Sequence, residues 1–499
     1  MNRAENLDRV RTRNEPWDIV VIGGGATGVG CAVDAASRGL DVLLVEQHDF
    51  GKGTSSRSTK LVHGGVRYLR QGNMSLVREA LKERGILLRN APHVVHKQAF
   101  IVPGYGLWQK VFYGIGLKTY DLLAGKHSFG GSRILSKAET IEKLPTVITD
   151  GLSGGVLYYD GQFDDTRLLI DLVTTAHNHG AAMLNYARVT SLKKDNDGQI
   201  MGVEFQEVET GEAFSVSARS VINATGAFCD SVRTMSDDAA QPVVEFSQGI
   251  HLVFDRKFLP SDTAVMIPKT SDGRVLFCIP WLGATLVGTT DTPIASAKLE
   301  PEALESEIDF VIETVGQYLT KAPGRDDILS IFAGIRPLVK RRHATKTSSI
   351  SRGHDLFVDA AGLITITGGK WTTYRRMAED AVNKAVQIGR LSVHECVTET
   401  LKISSPEPEI NSERLHPDLP FTVGDVMRAI QHEMAQTVED VLARRTRALF
   451  LDAAAAVEAA DKVAGIIARE TSRADYDAET DAAEFKTLAA NYLGSSKRV

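Results

Sequence analysis

The sequence TSSRSTKLVHGGVRYLR, residues 54 to 70, gathers hydroxyl groups, cations, a histidine and a glycine pair in one short segment. It has almost none of the apolar periodicity that builds a hydrophobic core. Arginine and lysine bind phosphate oxygens, and histidine has a pKa suited to proton removal near neutral pH. The residue types raise the question of a functional role for this segment, and the rest of the chain must supply the elements that position it.

A glycine cluster follows the first apolar run, in WDIVVIGGGATGVGCAVDAASRGLDVLLVEQ. A β-branched run, glycines, a helical stretch and a second apolar run predict a βαβ unit. Gly23, Gly25 and Gly28 fit the pattern G-x-G-x-x-G, which permits a tight turn, close approach of a pyrophosphate and close helix–strand packing. Glu46 ends the second strand, where a carboxylate accepts hydrogen bonds from ribose and repels a 2′-phosphate. The unit predicts a dinucleotide site and disfavours NADP, but it does not separate FAD from NAD.

Two later segments also combine a strand, a glycine turn and a helix. ARSVINATGAFCDSV (218 to 232) breaks at Thr225 and Gly226, and GLITITGGKWTTYRRMAEDAV (362 to 382) breaks at Gly368 and Gly369. Three such turns over about 350 residues predict one discontinuous domain around a long ligand. This arrangement favours an extended, permanently bound FAD over an NAD that must bind and dissociate.

Six motifs, in the same order, resemble the FAD-dependent glycerol-3-phosphate dehydrogenase family, particularly its mitochondrial-like branch. They are VIGGGATGVG, GTSSRSTKLVHGGVRYL, INATG, GTTDTP, GIRPL and GGKWTTYRRMAED. The resemblance runs from about residue 17 to residue 390. It implies oxidation of sn-glycerol 3-phosphate to dihydroxyacetone phosphate by hydride transfer to FAD, with a membrane quinone as the next electron acceptor.

The resemblance implies that three cations, Arg67, Arg336 and Lys370, line the substrate pocket, with Tyr68 beside the first of them. Three cations match one phosphate and a developing oxyanion, and the planar fork of arginine suits phosphate oxygens. A surface arginine in a salt bridge is the alternative for Arg67. Catalytic roles are implied for Arg336 and Lys370.

Two histidines also match the family. The resemblance implies that His251 contacts the substrate or acts as the base, and that His63 contacts the flavin or the substrate. A histidine on an apolar strand can instead be a hydrogen-bonded core residue, so the identity of the base stays open.

The residues implied to bind FAD come from the three glycine turns and from the segment 54 to 65. They are Gly23, Gly25, Gly28, Glu46, Thr54, Ser55, Ser56, Lys60, Gly64, Gly65, Thr225, Gly226, Gly368, Gly369, Lys370 and Thr372.

The predicted fold class is α/β, with a discontinuous Rossmann-like FAD-binding domain (17–90, 181–240 and 331–390), an antiparallel-sheet substrate domain (91–180 and 241–330) and a helical C-terminal domain (421–499). Residues 391–420, which are rich in proline and polar residues, form the predicted linker. Arg444, Arg445 and Arg447 are interpreted as a solvated helix face, with contact to anionic lipid or to the substrate domain as alternatives.

Composition limits the partners. A net charge of -6 argues against nucleic-acid binding. The four cysteines lack metal-ligand spacing, and the acidic run DGQFDD (160 to 165) is interpreted as a solvated loop or helix cap, so no metal is predicted.

The charged N-terminus has no apolar signal segment, and no apolar run of eighteen residues occurs, which predicts a cytoplasmic protein without a transmembrane helix. The segment YGLWQKVFYGIGLKTYDLLAG (105 to 125) has the composition of an interfacial helix, although a helix packed on the domain body is the other interpretation. We expect peripheral attachment to the inner face of the cytoplasmic membrane, and a homodimer is left open.

Three alternative functions remain at this point. A glycerol-3-phosphate oxidase uses oxygen with the same active-site residues, and an amine or amino-acid oxidase has the same fold. The third alternative, a flavin-binding protein or nucleic-acid-modifying scaffold, is disfavoured by the acidic charge.

Overall fold

The computed structural model describes residues 1–65, 74–125, 129–268, 270, 273–340, 353–392, 394–406, 411–471, 473 and 476–494, with side chains outside 107–113 and 115. The helices are α1 (Arg3–Thr12), α2 (Ala26–Ser37), α3 (Met74–Asn90), α4 (Leu107–Ala124), α5 (Lys137–Lys143), α6 (Asp165–Asn178), α7 (Cys229–Ser236), α8 (Glu305–Gly316), α9 (Tyr374–Gly389), α10 (Val423–His432), α11 (Ala448–Leu451), α12 (Ala453–Thr471) and α13 (Ala478–Ala489). Single 3-10 turns lie at Thr54–Ser56, Gly226–Phe228, Arg256–Phe258, Arg325–Asp327, Trp371–Thr373 and Ala490–Tyr492, and a π-helical turn lies at Asp440–Arg445.

The strands form two sheets. They are β1 (Trp17–Ile22), β2 (Val42–Val45), β3 (Leu61–Val62), β4 (Val95–Gly104), β5 (Arg133–Leu135), β6 (Gly154–Phe163), β7 (Ala182–Leu184), β8 (Ala187–Lys194), β9 (Ile200–Glu207), β10 (Ala213–Asn223), β11 (Val244–Asp255), β12 (Ala264–Ile267), β13 (Leu276–Trp281), β14 (Ala284–Gly288), β15 (Thr292–Ile294), β16 (Ile328–Val339), β17 (His354–Val358) and β18 (Ile364–Gly368).

The first sheet has the order β17-β18-β10-β1-β2-β7, and β8 and β9 extend it as an antiparallel meander from β10. Strand β1 is parallel to both β2 and β10. Its apolar run is buried on both faces: Ile19 and Val21 pack with α2, α6 and α9, while Val20 and Ile22 pack with α1 and the meander. A strand covered on both faces needs a continuous β-branched run, as this sequence has. The predicted Rossmann-like sheet is confirmed.

The second sheet is mostly antiparallel and has the order β15-β11-β14-β13-β12-β4-β6-β3, with β16 paired to β11 and β5 to β6. Helix α8 covers one face through an apolar core that includes Ile308, Val311 and Val315. Together with the first sheet and the helical C-terminal region, it confirms the predicted fold class. The predicted domain boundaries stay a prediction; strand β16, which crosses the 330/331 boundary, pairs entirely within the second sheet.

The C-terminal helices pack against the second sheet. Their apolar core includes Phe450 and Leu449 and continues into Phe332 of β16. The interpretation of the arginine run as a solvated face is wrong, since Arg444, Arg445 and Arg447 are all buried. Acidic side chains from distant segments pair with them, which compensates for the loss of their hydration.

Candidate functional site

A cleft with a volume of about 480 Å³ lies where the two sheets meet. Most of the residues predicted to bind FAD or substrate line it. These are Gly23, Gly25, Glu46, Thr54, Ser55, His63, Thr225, Gly226, His251, Arg336, Gly368, Gly369, Lys370 and Thr372. The fold thus brings segments from across the chain to one site.

Other predicted site residues lie elsewhere. Gly28, Ser56, Lys60 and Gly64 do not line the cleft, and Gly65 lines a smaller neighbouring chamber. Arg67 and Tyr68, which the sequence predicts to bind substrate, lie outside the described residues.

The first glycine turn meets the requirements of a dinucleotide pyrophosphate. Gly23 has a φ of +111°, and a Cβ on Gly28 would lie 1.9 Å from the Gly23 carbonyl oxygen, so both positions need glycine. Gly25, the N-cap residue of α2, has no side chain to cap the helix, and Gly25, Ala26 and Thr27 line the cleft. The N-terminal end of a helix favours an anion.

Glu46 holds this turn in place. One of its oxygens accepts the Gly24 N–H at 2.6 Å, and the other accepts the His48 N–H at 2.9 Å. Burial raises the pKa of Glu46, while the two N–H donors oppose that shift. Each oxygen keeps a second lone pair for a ribose hydroxyl.

The segment from Thr54 to Thr59 forms the wall between the two sheets. The Ser55 hydroxyl accepts the Ala26 N–H at 2.9 Å, and the Ser55 carbonyl accepts the Trp371 indole N–H at 2.8 Å. The Thr54 hydroxyl donates to the Ile335 carbonyl at 2.6 Å. This wall therefore joins the first glycine turn, the 368–373 turn and strand β16.

His251 lies on β11 and is buried in this wall. Its Nε2 is 2.9 Å from the Thr59 hydroxyl, and its ring stacks on Phe332 with centroids 4.9 Å apart. Burial, with Lys60 and Arg336 as nearby cations, lowers the pKa of His251 well below its usual range. The imidazole is therefore neutral at neutral pH, as a proton acceptor must be.

The strand register orients Arg336 and His251 alike. Antiparallel pairing sets His251 opposite Phe332 and Ser247 opposite Arg336. Because side chains alternate along a strand, residues four apart and their cross-strand partners share one face of the sheet. The imidazole and the guanidinium consequently lie on the same face of the second sheet.

Arg336 stands at the junction of the cleft and the neighbouring chamber, which has a volume of about 190 Å³. Its guanidinium donates to the Thr289 hydroxyl at 3.0 Å and to the Gln248 carbonyl at 3.3 Å, and Asp291 lies 3.6 Å away. The chamber also has Arg274 in its wall. The sequence does not indicate a site role for this arginine, because it follows an SDG turn, which predicts only a solvated loop.

Lys60 is fully buried behind the 54–59 wall. Its ammonium donates to Asp165 at 2.7 Å and to the Ser56 carbonyl at 2.8 Å. Burial lowers the pKa of Lys60 to about 7, and the Arg447 cation adds to this shift while Asp165 opposes it. Its contacts are thus with the wall, and a direct contact with FAD stays a prediction.

Comparisons with known proteins identify similar families and relatives. The chain matches the FAD dependent oxidoreductase family over residues 18–375 and the C-terminal domain of alpha-glycerophosphate oxidase over residues 365–478. It is 40% identical to a mitochondrial glycerol-3-phosphate dehydrogenase of Arabidopsis thaliana, over 92% of this chain and 84% of the relative. It is also 40% identical to the mitochondrial glycerol-3-phosphate dehydrogenase of Homo sapiens, over 92% of this chain and 71% of the relative.

Solved structures share the fold. A glycerol-3-phosphate dehydrogenase from Bacillus halodurans, complexed with FAD, superposes with a TM-score of 0.79 at 28% identity, covering 99% of this chain and 98% of its own. A glycine oxidase from Geobacillus kaustophilus has a TM-score of 0.56 at 16% identity, covering 79% of this chain and 100% of its own. At that identity the second likeness concerns the fold alone.

The lowered pKa of His251 predicts the pH dependence of catalysis. A base whose pKa is lowered stays neutral until the pH falls to that lowered value, so we expect its acid limb in kcat/KM below pH 6.5. The measurement compares the pH profiles of the wild type and His251→Asn. An acid limb in kcat/KM that both proteins share belongs to the substrate phosphate. An acid limb at or above pH 6.5 that only the wild type has would contradict the assignment of His251 as the base.

Proposed function

The chain belongs to the family of FAD-dependent glycerol-3-phosphate dehydrogenases, and on that premise we propose that Arg336, Lys370 and His251 act in its oxidation of sn-glycerol 3-phosphate to dihydroxyacetone phosphate. Bound FAD supplies the acceptor for the hydride from C2 of the substrate. The side chains of the protein bind the phosphate, orient the alcohol and take up the hydroxyl proton.

The proposal that Arg336 binds the substrate phosphate rests on the position of its guanidinium. Its guanidinium lies at the junction of the cleft and a chamber of about 190 Å³, a space that suits a three-carbon phosphate. Two nitrogens of its planar fork can bind two phosphate oxygens, a geometry that lysine lacks. Lys370 lines the same cleft. Arg67 and Tyr68 stay predicted substrate contacts.

His251 is the proposed base. It lies on the same face as Arg336, it is neutral, and the Thr59 hydroxyl fixes the position of its Nε2. A hydroxyl proton can pass to the unprotonated ring nitrogen as the hydride leaves C2. His63 lines both the cleft and the chamber and is the second proposed contact in this part of the site.

The glycine turns support the FAD assignment. We assign the pyrophosphate to the N-terminus of α2 beside Gly23 and Gly25, and the ribose to Glu46. The other two turns, at Thr225 and at 368–372, line the same cleft as His251.

The proposal also includes the electron acceptor and the location of the enzyme. We propose a quinone acceptor and peripheral attachment to the inner face of the cytoplasmic membrane, with a homodimer as a further possibility. The described helices include none that is long and apolar enough to cross a bilayer. Helix α4 supports surface attachment, because Leu122 is 82% exposed and Lys118 is exposed nearby.

The substrate is tested by anaerobic mixing of the FAD-loaded protein with glycerol 3-phosphate. We expect the oxidised flavin band to bleach, because the phosphate and the secondary alcohol match the cations and the base. Glycine and proline are the matched controls, since amino-acid oxidases share the fold. Bleaching by an amino acid with none by glycerol 3-phosphate would replace the proposed function by the amino-acid oxidase alternative.

Replacing Arg336 tests the phosphate site. Hydrogen bonds to a charged group contribute roughly 1.5–3 kcal/mol each, so losing two of them in Arg336→Leu lowers kcat/KM by about a hundredfold or more. Arg336→Lys restores only part of the activity, because a point charge cannot bind two oxygens with fixed geometry.

The controls for Arg336 separate substrate binding from folding. FAD content stays unchanged, and glycerol, which lacks the phosphate, loses far less activity. Arg256→Leu removes an exposed arginine paired with Asp262 and leaves kcat/KM unchanged. Normal turnover of glycerol 3-phosphate by Arg336→Leu would locate the phosphate site elsewhere.

The choice of electron acceptor is tested by comparing how fast quinone and oxygen reoxidise the reduced enzyme. We expect the substrate-reduced enzyme to be reoxidised much faster by a short-chain quinone than by oxygen, and a high-salt or mild detergent wash to release the activity from membranes. Oxygen consumption at the full rate without quinone, in an activity that is entirely soluble, would favour the oxidase alternative.

A further inference from the structure

We propose that Arg447, in the C-terminal helical region, is a positioning residue for the wall that separates the FAD cleft from the helical core. This wall is the segment from Thr54 to Thr59. The inference rests on the proposed assignment of the cleft to FAD, and it adds a role for the C-terminal region that the reaction itself does not require.

The Ser56 carbonyl is the point at which the wall is held from behind. It accepts one hydrogen bond from Arg447 Nη2 at 2.7 Å and another from Lys60 Nζ at 2.8 Å. Both lone pairs of this oxygen are therefore used by buried cations. The opposite side of the same segment presents Thr54, Ser55 and Thr59 to the cleft.

Asp165 completes this buried group. Its Oδ2 accepts from Lys60 Nζ at 2.7 Å and from the Ser58 backbone and hydroxyl at 3.1 and 2.7 Å, and its Oδ1 lies 3.3 Å from Arg447 Nη2. One carboxylate thus ties two cations and Ser58 together. Without Arg447, the carboxylate and the Ser56 carbonyl each lose a charge-assisted partner in a place that water does not reach.

Arg447 also reaches His251 through aromatic packing. Its guanidinium lies 4.2 Å from the Phe450 ring centroid, Phe450 packs edge-on against Phe332 at 4.9 Å, and Phe332 stacks on His251. Two separate chains of contact therefore lead from one arginine to the cleft. One reaches the FAD-facing hydroxyls, and the other reaches the proposed base.

The backbone at Arg447 supports a role for its side chain. Its φ of +68° is in the left-handed region, which a non-glycine residue adopts at a cost. Glycine would fit this conformation better, so the contacts of the guanidinium account for an arginine here. Nη1 also donates to the Ala443 carbonyl at 2.7 Å, which fixes the side chain to the preceding turn.

The test measures FAD release from the diluted holoenzyme, by the rise in flavin fluorescence, for Arg447→Met and Arg447→Lys. We expect Arg447→Met to weaken FAD binding by about tenfold, the loss of one charge-assisted hydrogen bond, and Arg447→Lys to fall between it and the wild type. We also expect kcat to fall while the KM for glycerol 3-phosphate stays within about twofold of wild type, since the contacts of Arg336 are untouched.

Arg167→Met is the matched control. Arg167 is a largely buried arginine whose guanidinium bonds Glu433 of the C-terminal region at 3.0 Å but forms no hydrogen bond or ion pair with the 54–59 wall. We expect this variant to retain FAD like the wild type. Equal FAD loss in Arg447→Met and Arg167→Met would reduce Arg447 to a general interface contact and overturn the proposal.

The remaining outcomes are also decisive. Unchanged FAD affinity in Arg447→Met would overturn the proposal. If Arg447→Met does not fold, the proposal is overturned by an Arg447→Lys variant whose FAD affinity and kcat equal those of the wild type. A wild-type protein that carries no FAD would instead remove the assignment of the cleft, which distinguishes failure of the proposed function from failure of this inference.

Discussion

A wall of irregular backbone between two sheets constrains the rest of this structure. The segment from Thr54 to Thr59 lacks the ladder hydrogen bonds of a strand, yet buried carbonyl and N–H groups need partners. It finds them in Trp371, Asp165 and Arg447, which belong to separate elements, and in the adjacent Lys60. The FAD-binding turn, the second sheet and the C-terminal region are consequently all bonded to one short segment.

The strand register of the second sheet determines which side chains face the cleft. Pairing of β11 with β16 directs His251 and Arg336 to one face, and a slip of one strand by one residue would place the two side chains on opposite faces of the sheet. The register is secured by the burial of the apolar residues on these strands, such as Ile250, Leu252 and Ile331. Packing in the core therefore fixes the position of Arg336, the proposed phosphate ligand, relative to His251, the proposed base.

Sequence patterns predicted those parts that local chemistry determines. The first glycine turn, Glu46 and the antiparallel sheet follow from periodicity and backbone geometry, which neighbouring residues encode. The burial of Arg447 could not be predicted this way, because its partners Asp165 and Ser56 lie hundreds of residues away in the chain. The same holds for Lys60: its sequence context indicates a ligand contact, whereas its nearest anion is supplied by α6.

The cations of the site also connect substrate binding to proton transfer. Burial together with Lys60 and Arg336 keeps His251 neutral, although the whole chain carries a net charge of -6. A phosphate dianion at the proposed Arg336 site would offset part of this positive potential and so would raise the affinity of the imidazole for a proton. The proposed base would therefore become stronger when the substrate is bound. A carboxylate substrate, with one negative charge instead of two, would produce a smaller effect, so on this proposal the charge of the phosphate contributes to catalysis as well as to recognition.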